Sequence, residues 1–313
     1  MRFENNTMRE KLPNFLIVGA AKSGTTSIYQ YLKQHPDIYL PENKEPRFFV
    51  SSEFKNINPD DPFFSYINKV TTFTLEDYSG LFKNAKSQRI VGEASVQYLY
   101  FYDSAIPEIK KHLGNVKIII ILRNPVERAF SAYCHYSGVN AETLSFEKCL
   151  ELEEERRKNN WAMAHFYKDL GFYLRQVNSY LKNFAQARVY LYDDLKKDPL
   201  ALVRDIYQFL DVDTSFVPFD INVKYNVSGV PRIKSLQSFL LHYEHPLKKL
   251  LRPLFLGTVG KEKTENLVNH FKNRNLGKRT MNPNTRKYLI DLYRGDIHML
   301  EKLLKRDLSA WLK

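Results

Sequence analysis

Residues Asn14 to Leu32 read NFLIVGAAKSGTTSIYQYL, which divides into an apolar run, a turn of small residues and the start of a helix. Phe15 to Val18 is short, rich in branched side chains and free of polar alternation, the pattern of a strand buried on both faces of a parallel sheet. Thr25, Thr26 and Ser27 open the helix that follows. The first amides of a helix have no intrahelical acceptor, and the helix dipole favours an anion there. Gly24 permits close backbone approach, Lys22 adds a cation, and Ser23 with the three hydroxyls that follow adds donors. The whole is a cradle for a phosphate-like group. Gly19 and Gly24 have the four-residue separation of a P-loop, but Thr25 stands where that motif requires Lys. The lysine lies three places upstream, which argues against an ordinary Mg²⁺-dependent nucleoside triphosphatase.

A second stretch, Lys117 to Tyr136, reads KIIIILRNPVERAFSAYCHY. Its Ile-rich run predicts another buried strand, with Arg123 at the carboxyl end. Pro125 suits the first turn of a helix, and Ser131 lies two helical turns further on. Either Arg123 and Ser131 grip a second anionic group from one side, or Arg123 caps the sheet edge through an ion pair. A guanidinium offers a forked, permanent charge that matches phosphate oxygens. Cys134 and His135, three and four residues beyond Ser131, either line the same groove or belong to the core.

Weaker runs at Arg89 to Gly92 and Arg188 to Tyr192 read as two further strands. Leu170, Tyr173, Leu174, Val177, Leu181 and Phe184 recur at helical spacing, as do Leu289, Leu292, Tyr293, Leu300 and Leu304. Strands that alternate with helices predict an α/β fold, a central parallel sheet flanked by helices. The irregular stretch from Pro41 to Asp77 predicts loops over the carboxyl edge of the sheet, where ligands bind in such folds. No internal repeat or Gly/Ser linker interrupts the chain, so a single domain over residues 1–313 is expected.

The chain carries 43% hydrophobic and 26% charged residues, which excludes a disordered protein. Lys and Arg exceed Asp and Glu by 47 to 35, a net charge of +12 that favours an anionic ligand or surface. No run approaches the roughly 18 consecutive apolar residues of a membrane-spanning helix. The start, MRFENNTMREKLPNFLIVG, lacks an apolar signal core, so a cytoplasmic protein is expected. Two cysteines, Cys134 and Cys149, have no second Cys or His at zinc-ligand spacing, so no metal site is expected. The aromatic content, 14%, reads as core rather than as a nucleic-acid stacking surface. The segment from Lys248 to Arg279 is basic and interleaved with apolar residues, either a solvated helical face or a docking surface for an acidic acceptor or a membrane.

AKSGTTS, from Ala21 to Ser27, resembles the 5'-phosphosulfate loop of the sulfotransferase superfamily, and RNPVERAFSAY, from Arg123 to Tyr133, resembles that family's 3'-phosphate motif. YLYDDLKKDP, from Tyr190 to Pro199, resembles the segment in which a family Tyr packs near the nucleotide, a place held here by Tyr192. GFYLRQVNSYLKNF, from Gly171 to Phe184, and a late SGVPR loop extend the likeness over most of the chain. The resemblance implies a fold like that of the P-loop nucleotidases and 3'-phosphoadenosine 5'-phosphosulfate (PAPS) as co-substrate. KEPRFF, from Lys44 to Phe49, resembles the Lys-Glu-Pro-His-Phe-Phe motif of glycan-sulfating members, which implies Glu45 as general base, with Arg47 in place of the His. EASVQY, from Glu93 to Tyr98, resembles Glu-Lys-Thr-Pro-Ser-Tyr with Ala94 in place of Lys. The Arg-Lys-Gly run of the small-molecule branch is missing, and NVSGVPRIK, from Asn226 to Lys234, is the candidate replacement, with Arg232 as its cofactor ligand.

Sulfuryl transfer needs in-line attack and stabilisation of charge on the leaving phosphate. Lys22 is expected to meet that charge, the amides of Gly24 to Thr26 to hold the phosphosulfate, and Glu45 to take a proton from an acceptor hydroxyl or amine, whether of a glycan, a lipid or another metabolite. The alternatives are a small-molecule kinase using ATP and Mg²⁺ and a non-catalytic basic module for nucleic acid or lipid.

Overall fold

The computed structural model describes residues 12–139, 141–221, 223, 230–231, 276–277 and 279–313. Five strands, β1 (Phe15–Gly19), β2 (Ile38–Tyr39), β3 (Ile90–Ala94), β4 (Lys117–Leu122) and β5 (Ala187–Leu191), form one sheet in the order β2-β3-β1-β4-β5. Every pairing in it is parallel: Phe15 lies opposite both Gly92 and Lys117, and Leu122 lies opposite Leu191. β1 is central because its five residues are all buried and tolerate no wet face. The chain runs outward from β1 to one side, then crosses to β4 on the other. That reversal opens a crevice at the carboxyl ends of β1, β3, β4 and β5.

The pleat divides the core in two. Leu16, Val18, Ile118, Ile120 and Leu122 face one layer, built of α5 (Tyr102–Leu113), α6 (Pro125–Gly138), α8 (Tyr173–Asn183) and the long α11 (Pro283–Leu304). Phe15, Ile17, Ile119 and Ile121 face the other, where α1 (Thr25–Lys33) packs with α10 (Pro199–Leu210). An isoleucine run that reads as one apolar block therefore serves two layers at a period of two. A small antiparallel pair, β6 (Val230–Pro231) with β7 (Leu276–Gly277), completes the strands among the described residues.

Several sequence expectations shift. The third strand begins at Ile90 and takes in Glu93 and Ala94, and Tyr192 leaves β5 to open α9 (Tyr192–Lys197). The stretch from Pro41 to Asp77 does lie over the carboxyl edge, where Glu45 N donates to Ala94 O at 3.0 Å. It is not all loop, however. A 3₁₀ segment, Phe48–Phe54, is followed by α2 (Phe64–Val70), and α3 (Leu75–Gly80) starts within it. Tertiary burial organises these turns: Phe48 stacks on Tyr78 with centroids 4.6 Å apart, while Thr74 caps α3 by accepting from Asp77 N. α4 (Gln97–Tyr100) and α7 (Phe146–Lys158) complete the helices named here.

Candidate functional site

β1 ends in the turn Ala20–Gly24, whose backbone is set by two positive φ angles, +64° at Lys22 and +87° at Gly24. A Cβ at Gly24 would lie 2.7 Å from Leu195 Cδ2 and 2.9 Å from Tyr192 Cδ2, so the approach of α9 to this loop requires glycine. Gly24 is the N-cap of α1, and Thr25 is the first helical residue. Lys22, Gly24, Thr25, Thr26 and Ser27 all line one cleft of about 1230 Å³. Ser23 departs from expectation. Its side chain is wholly buried and lies outside the lining, which leaves only its backbone to serve a ligand.

The second predicted anion site borders the same cleft. Arg123 leaves β4 at its carboxyl end, and Asn124 caps α6 by accepting from the amides of Val126 and Glu127. Pro125 occupies the first turn, as its spacing predicts. Arg123 Nη1 donates to Lys22 O at 3.1 Å, and its guanidinium lies over the Tyr192 ring at 4.9 Å. The guanidinium is thus aimed by the loop on one side and the aromatic ring on the other, and no carboxylate among the described residues holds it in a salt bridge. Ser131, buried on α6, also lines the cleft. Burial, followed by the charge of Arg123, brings the Lys22 ammonium down to about 8.

Across the cleft stands the segment Lys44–Arg47. Glu45 and Arg47 both adopt positive φ, +63° and +59°, a strained backbone for side-chain-bearing residues. The turn is pinned to the end of β3: Arg47 N donates to Ser95 Oγ at 3.1 Å, and Ser95 Oγ donates to Glu93 Oε2 at 2.9 Å. Glu93 is fully buried, and burial raises its carboxyl to about 7.

Glu45 itself is held from three sides. Lys44 Nζ lies 3.1 Å from Oε1, Gln97 Nε2 donates to Oε2 at 3.0 Å, and Arg47 Nη2 lies 3.6 Å from Oε2. Burial pushes this carboxyl up, but the charges of Lys44 and Arg47 and the bond from Gln97 outweigh it and bring it to about 2. Lys44 Nζ also donates to Thr26 Oγ1 at 3.2 Å, so one ammonium spans the phosphate-type loop and the carboxylate. Both ion pairs that a purely structural Glu45 would form are present, yet they lie in the cleft wall rather than on the outer surface.

Sequence reading missed three participants. Gln97 and Glu93 belong to EASVQY, a segment read only for its missing lysine. Arg279, counted only as the end of a basic run, lines the cleft and donates from Nη1 to Tyr133 Oη at 2.9 Å, beside the Arg123–Ser131 site. Arg232, the segment Asn226 to Lys234 apart from Val230 and Pro231, and most of the basic run from Lys248 lie outside the described residues. Cys134 and His135 do line the cleft; burial, then the nearby Lys22 charge, lowers His135 to about 4, so its ring is neutral at pH 7.

Residues 13–215 match the model of a family described as "Sulfotransferase family". A crystallographic sulfotransferase from Alicyclobacillus acidocaldarius superposes on this chain with a TM-score of 0.74 at 34% identity, over 97% of this chain and 100% of that one. Membrane-associated sulfotransferase kil1 of Dictyostelium discoideum is 35% identical over 40% of this chain and 23% of its own length. Human carbohydrate sulfotransferase 15 is 26% identical over 96% of this chain and 54% of its own length. The chain thus spans from about a quarter to about half of these two curated relatives.

Proposed function

Because this chain belongs to the sulfotransferase family, we propose that it moves the sulfuryl group of PAPS to a hydroxyl or amine of an acceptor, by in-line transfer with Glu45 as base. The observation that carries the reading is the meeting of three groups on one cleft: the Lys22–Ser27 loop, the Arg123–Ser131 pair and the Glu45 carboxylate. Two anion sites suit the two phosphate-bearing positions of one nucleotide, and a carboxylate facing them suits a proton-bearing acceptor. The names of the human relatives, carbohydrate sulfotransferase 15 and a bifunctional heparan sulfate N-deacetylase/N-sulfotransferase, support an acceptor with a hydroxyl or an amine.

In this mechanism the amides of Gly24 to Thr26 and the hydroxyls of Thr25, Thr26 and Ser27 orient the 5'-phosphosulfate. Arg123 and Ser131 bind the 3'-phosphate, and Tyr192 supports Arg123 through its ring. The acceptor oxygen or nitrogen forms a bond to sulfur as the bond from sulfur to the bridging phosphate oxygen breaks. The acceptor proton passes to Glu45, and Lys22 meets the negative charge that grows on the departing phosphate. Lys44, between Thr26 and Glu45, adds positive charge along the path of the transferred group.

Isothermal titration with adenosine 3',5'-bisphosphate, with ATP plus Mg²⁺ and with single-stranded DNA tests the assignment. The bisphosphate should bind tightest. Preference for ATP with Mg²⁺ would favour a kinase, and preference for DNA a basic binding module.

A further inference from the structure

The nucleotide end of the cleft depends on a helix too short to hold itself. α9 has six residues, well below the length at which a helix is stable in isolation. It nevertheless meets both anion sites: Leu195 and Tyr192 lie against Gly24, and the Tyr192 ring lies beneath the Arg123 guanidinium. The position of α9 therefore sets where Arg123 points, and contacts from outside α9 must fix that position.

The segment that follows α11 supplies them. Trp311, 3% exposed in a 3₁₀ turn (Ser309–Leu312), donates from Nε1 to Asp193 Oδ2 at 3.0 Å. Its carbonyl accepts from Asn124 Nδ2 at 3.2 Å, and Asn124 is both the cap of α6 and the chain neighbour of Arg123. The indole also packs edge-on against Tyr173 with centroids 6.4 Å apart, so the ring itself is held. One residue thus joins α9 to the start of α6, across sequence separations of 118 and 187 residues.

Burial raises the Asp193 carboxyl, but the bonds from Lys196 and Trp311 outweigh it and hold it below its ordinary value. The indole therefore donates to a carboxylate, which makes the bond a charge-assisted one. Arg306 adds an ion pair to Asp194 at 2.9 Å, but both side chains are exposed and the pair contributes little. Neither Trp311 nor Asp193 lines the cleft, so neither touches a bound nucleotide.

Resting on the sulfuryl-transfer reading, we infer that Trp311 is a positioning residue for the co-substrate: by joining Asp193 to Asn124 it holds Tyr192 and Arg123 in the arrangement that meets the 3'-phosphate. Loss of this tether leaves every nucleotide ligand in the chain but adds the ordering of α9 to the cost of binding.

Calorimetry with adenosine 3',5'-bisphosphate on the full chain tests this, because charge and tether predict opposite signs at Asp193. Asp193→Leu removes the acceptor of the indole N–H. It also removes a negative charge that lies near Arg123 and pairs with Lys196, a cation on the cleft. Electrostatics alone would tighten binding of the anionic nucleotide. The tether instead predicts a Kd raised by about threefold to tenfold. Asp193→Asn keeps an oxygen for the indole and should bind as wild type or tighter. Trp311→Phe keeps an aromatic ring near Tyr173 but has no donor, and its Kd should rise by about the factor seen in Asp193→Leu. Wild-type or tighter binding in Asp193→Leu overturns the inference, and so does an equal loss in Asp193→Asn. Urea unfolding of Trp311→Phe runs alongside: reduced stability with unchanged bisphosphate affinity is the result of a merely structural tryptophan and also overturns it. Should Trp311→Phe not fold, the comparison of Leu with Asn at position 193 decides alone. Absent bisphosphate binding in wild type sinks the sulfuryl-transfer reading and the inference with it, whereas normal binding in wild type and all three variants sinks the inference alone.

Discussion

Gln97 Nε2 donates to Glu45 Oε2 at 3.0 Å across a sequence separation of 52 residues. Lys44 occupies the other carboxylate oxygen, so the two oxygens are held from opposite sides and the plane of the carboxyl group is set. Gln97 opens α4 just beyond β3, and the same strand end anchors Arg47 through Ser95. The carboxylate is therefore oriented by rigid sheet-edge structure although it sits in a strained turn.

Glu45→Gln keeps this shape but cannot accept a proton. Turnover should fall by about 10² to 10⁴, with the affinity for adenosine 3',5'-bisphosphate unchanged by calorimetry. A base must be ionised, so activity is retained above its pKa and lost below it. With Glu45 at about 2, the acidic limb of the rate profile should lie well below pH 4. Gln97→Leu removes a donor to the ionised form and should move that limb upward while lowering kcat. Near-wild-type turnover in Glu45→Gln would assign the base to another group.

Lys22 opposes a charge that is greatest in the transition state. Lys22→Ala should therefore lower kcat far more than it raises KM for PAPS, and steady-state kinetics separate the two. The cation is required in its protonated form, and with the free-cleft value at about 8, kcat/KM should decline as pH rises through that point. Lys22→Arg should abolish this basic limb. A pure KM effect in Lys22→Ala would make it a binding residue only.

Nucleotide affinity should rank the second anion site. Arg123→Ala should weaken bisphosphate binding more than Ser131→Ala, because a charge-assisted forked contact is worth roughly twice a neutral hydrogen bond. Arg123 is also pre-aimed by Lys22 O and the Tyr192 ring, which reduces the ordering cost of binding. Titration in EDTA should give the same affinity as in Mg²⁺, since the ligands are a guanidinium, an ammonium, amides and hydroxyls. Unchanged affinity in Arg123→Ala would remove the 3'-phosphate assignment.

A stability prediction comes from the buried charges around His165. His165 lies 3.5 Å from Asp61 and 3.4 Å from Glu142, and Arg156 Nη1 lies 2.6 Å from Glu142. The two carboxylates are matched by two cations only when His165 is protonated. Burial lowers the imidazole pKa, but bonding to Asp61 and Glu142 outweighs it and raises it above its ordinary value. A raised folded pKa contributes stability that is complete below about 6.5, the unfolded value, and is lost as pH climbs through the folded one. Urea unfolding should therefore show stability declining on the alkaline side of pH 6.5. His165→Gln should cost about 3–5 kcal/mol at pH 6, the usual cost of stranding a buried charge, and should flatten that decline. A pH dependence identical to wild type would exclude His165 as its source.

The reading of β1, its loop and α1 was available in the sequence because each depends on residues close together in the chain. Apolar runs define buried strands, while Gly24 and the hydroxyls after it define a helix start that binds anions. The same holds for the run through Arg123, Asn124 and Pro125 into α6. Parallel strands ending at one edge then bring these two local motifs together, as an α/β pattern requires.

Tertiary structure decided the rest. The turn that carries Glu45 and Arg47 takes its shape from Ala94 and Ser95, and the carboxylate takes its orientation from Gln97, contacts between segments some fifty residues apart that no periodicity encodes. The short helices within Pro41–Asp77 form because aromatic side chains find partners such as Tyr78, not because their own sequence repeats. Whether a polar residue faces a ligand or the core is also settled only by packing: Ser23 turns inward although its neighbours Lys22 and Thr25 line the cleft, and Arg279 reaches that cleft from beyond the sheet. Local backbone chemistry determined where an anion can bind, and long-range burial determined which side chains stand around it.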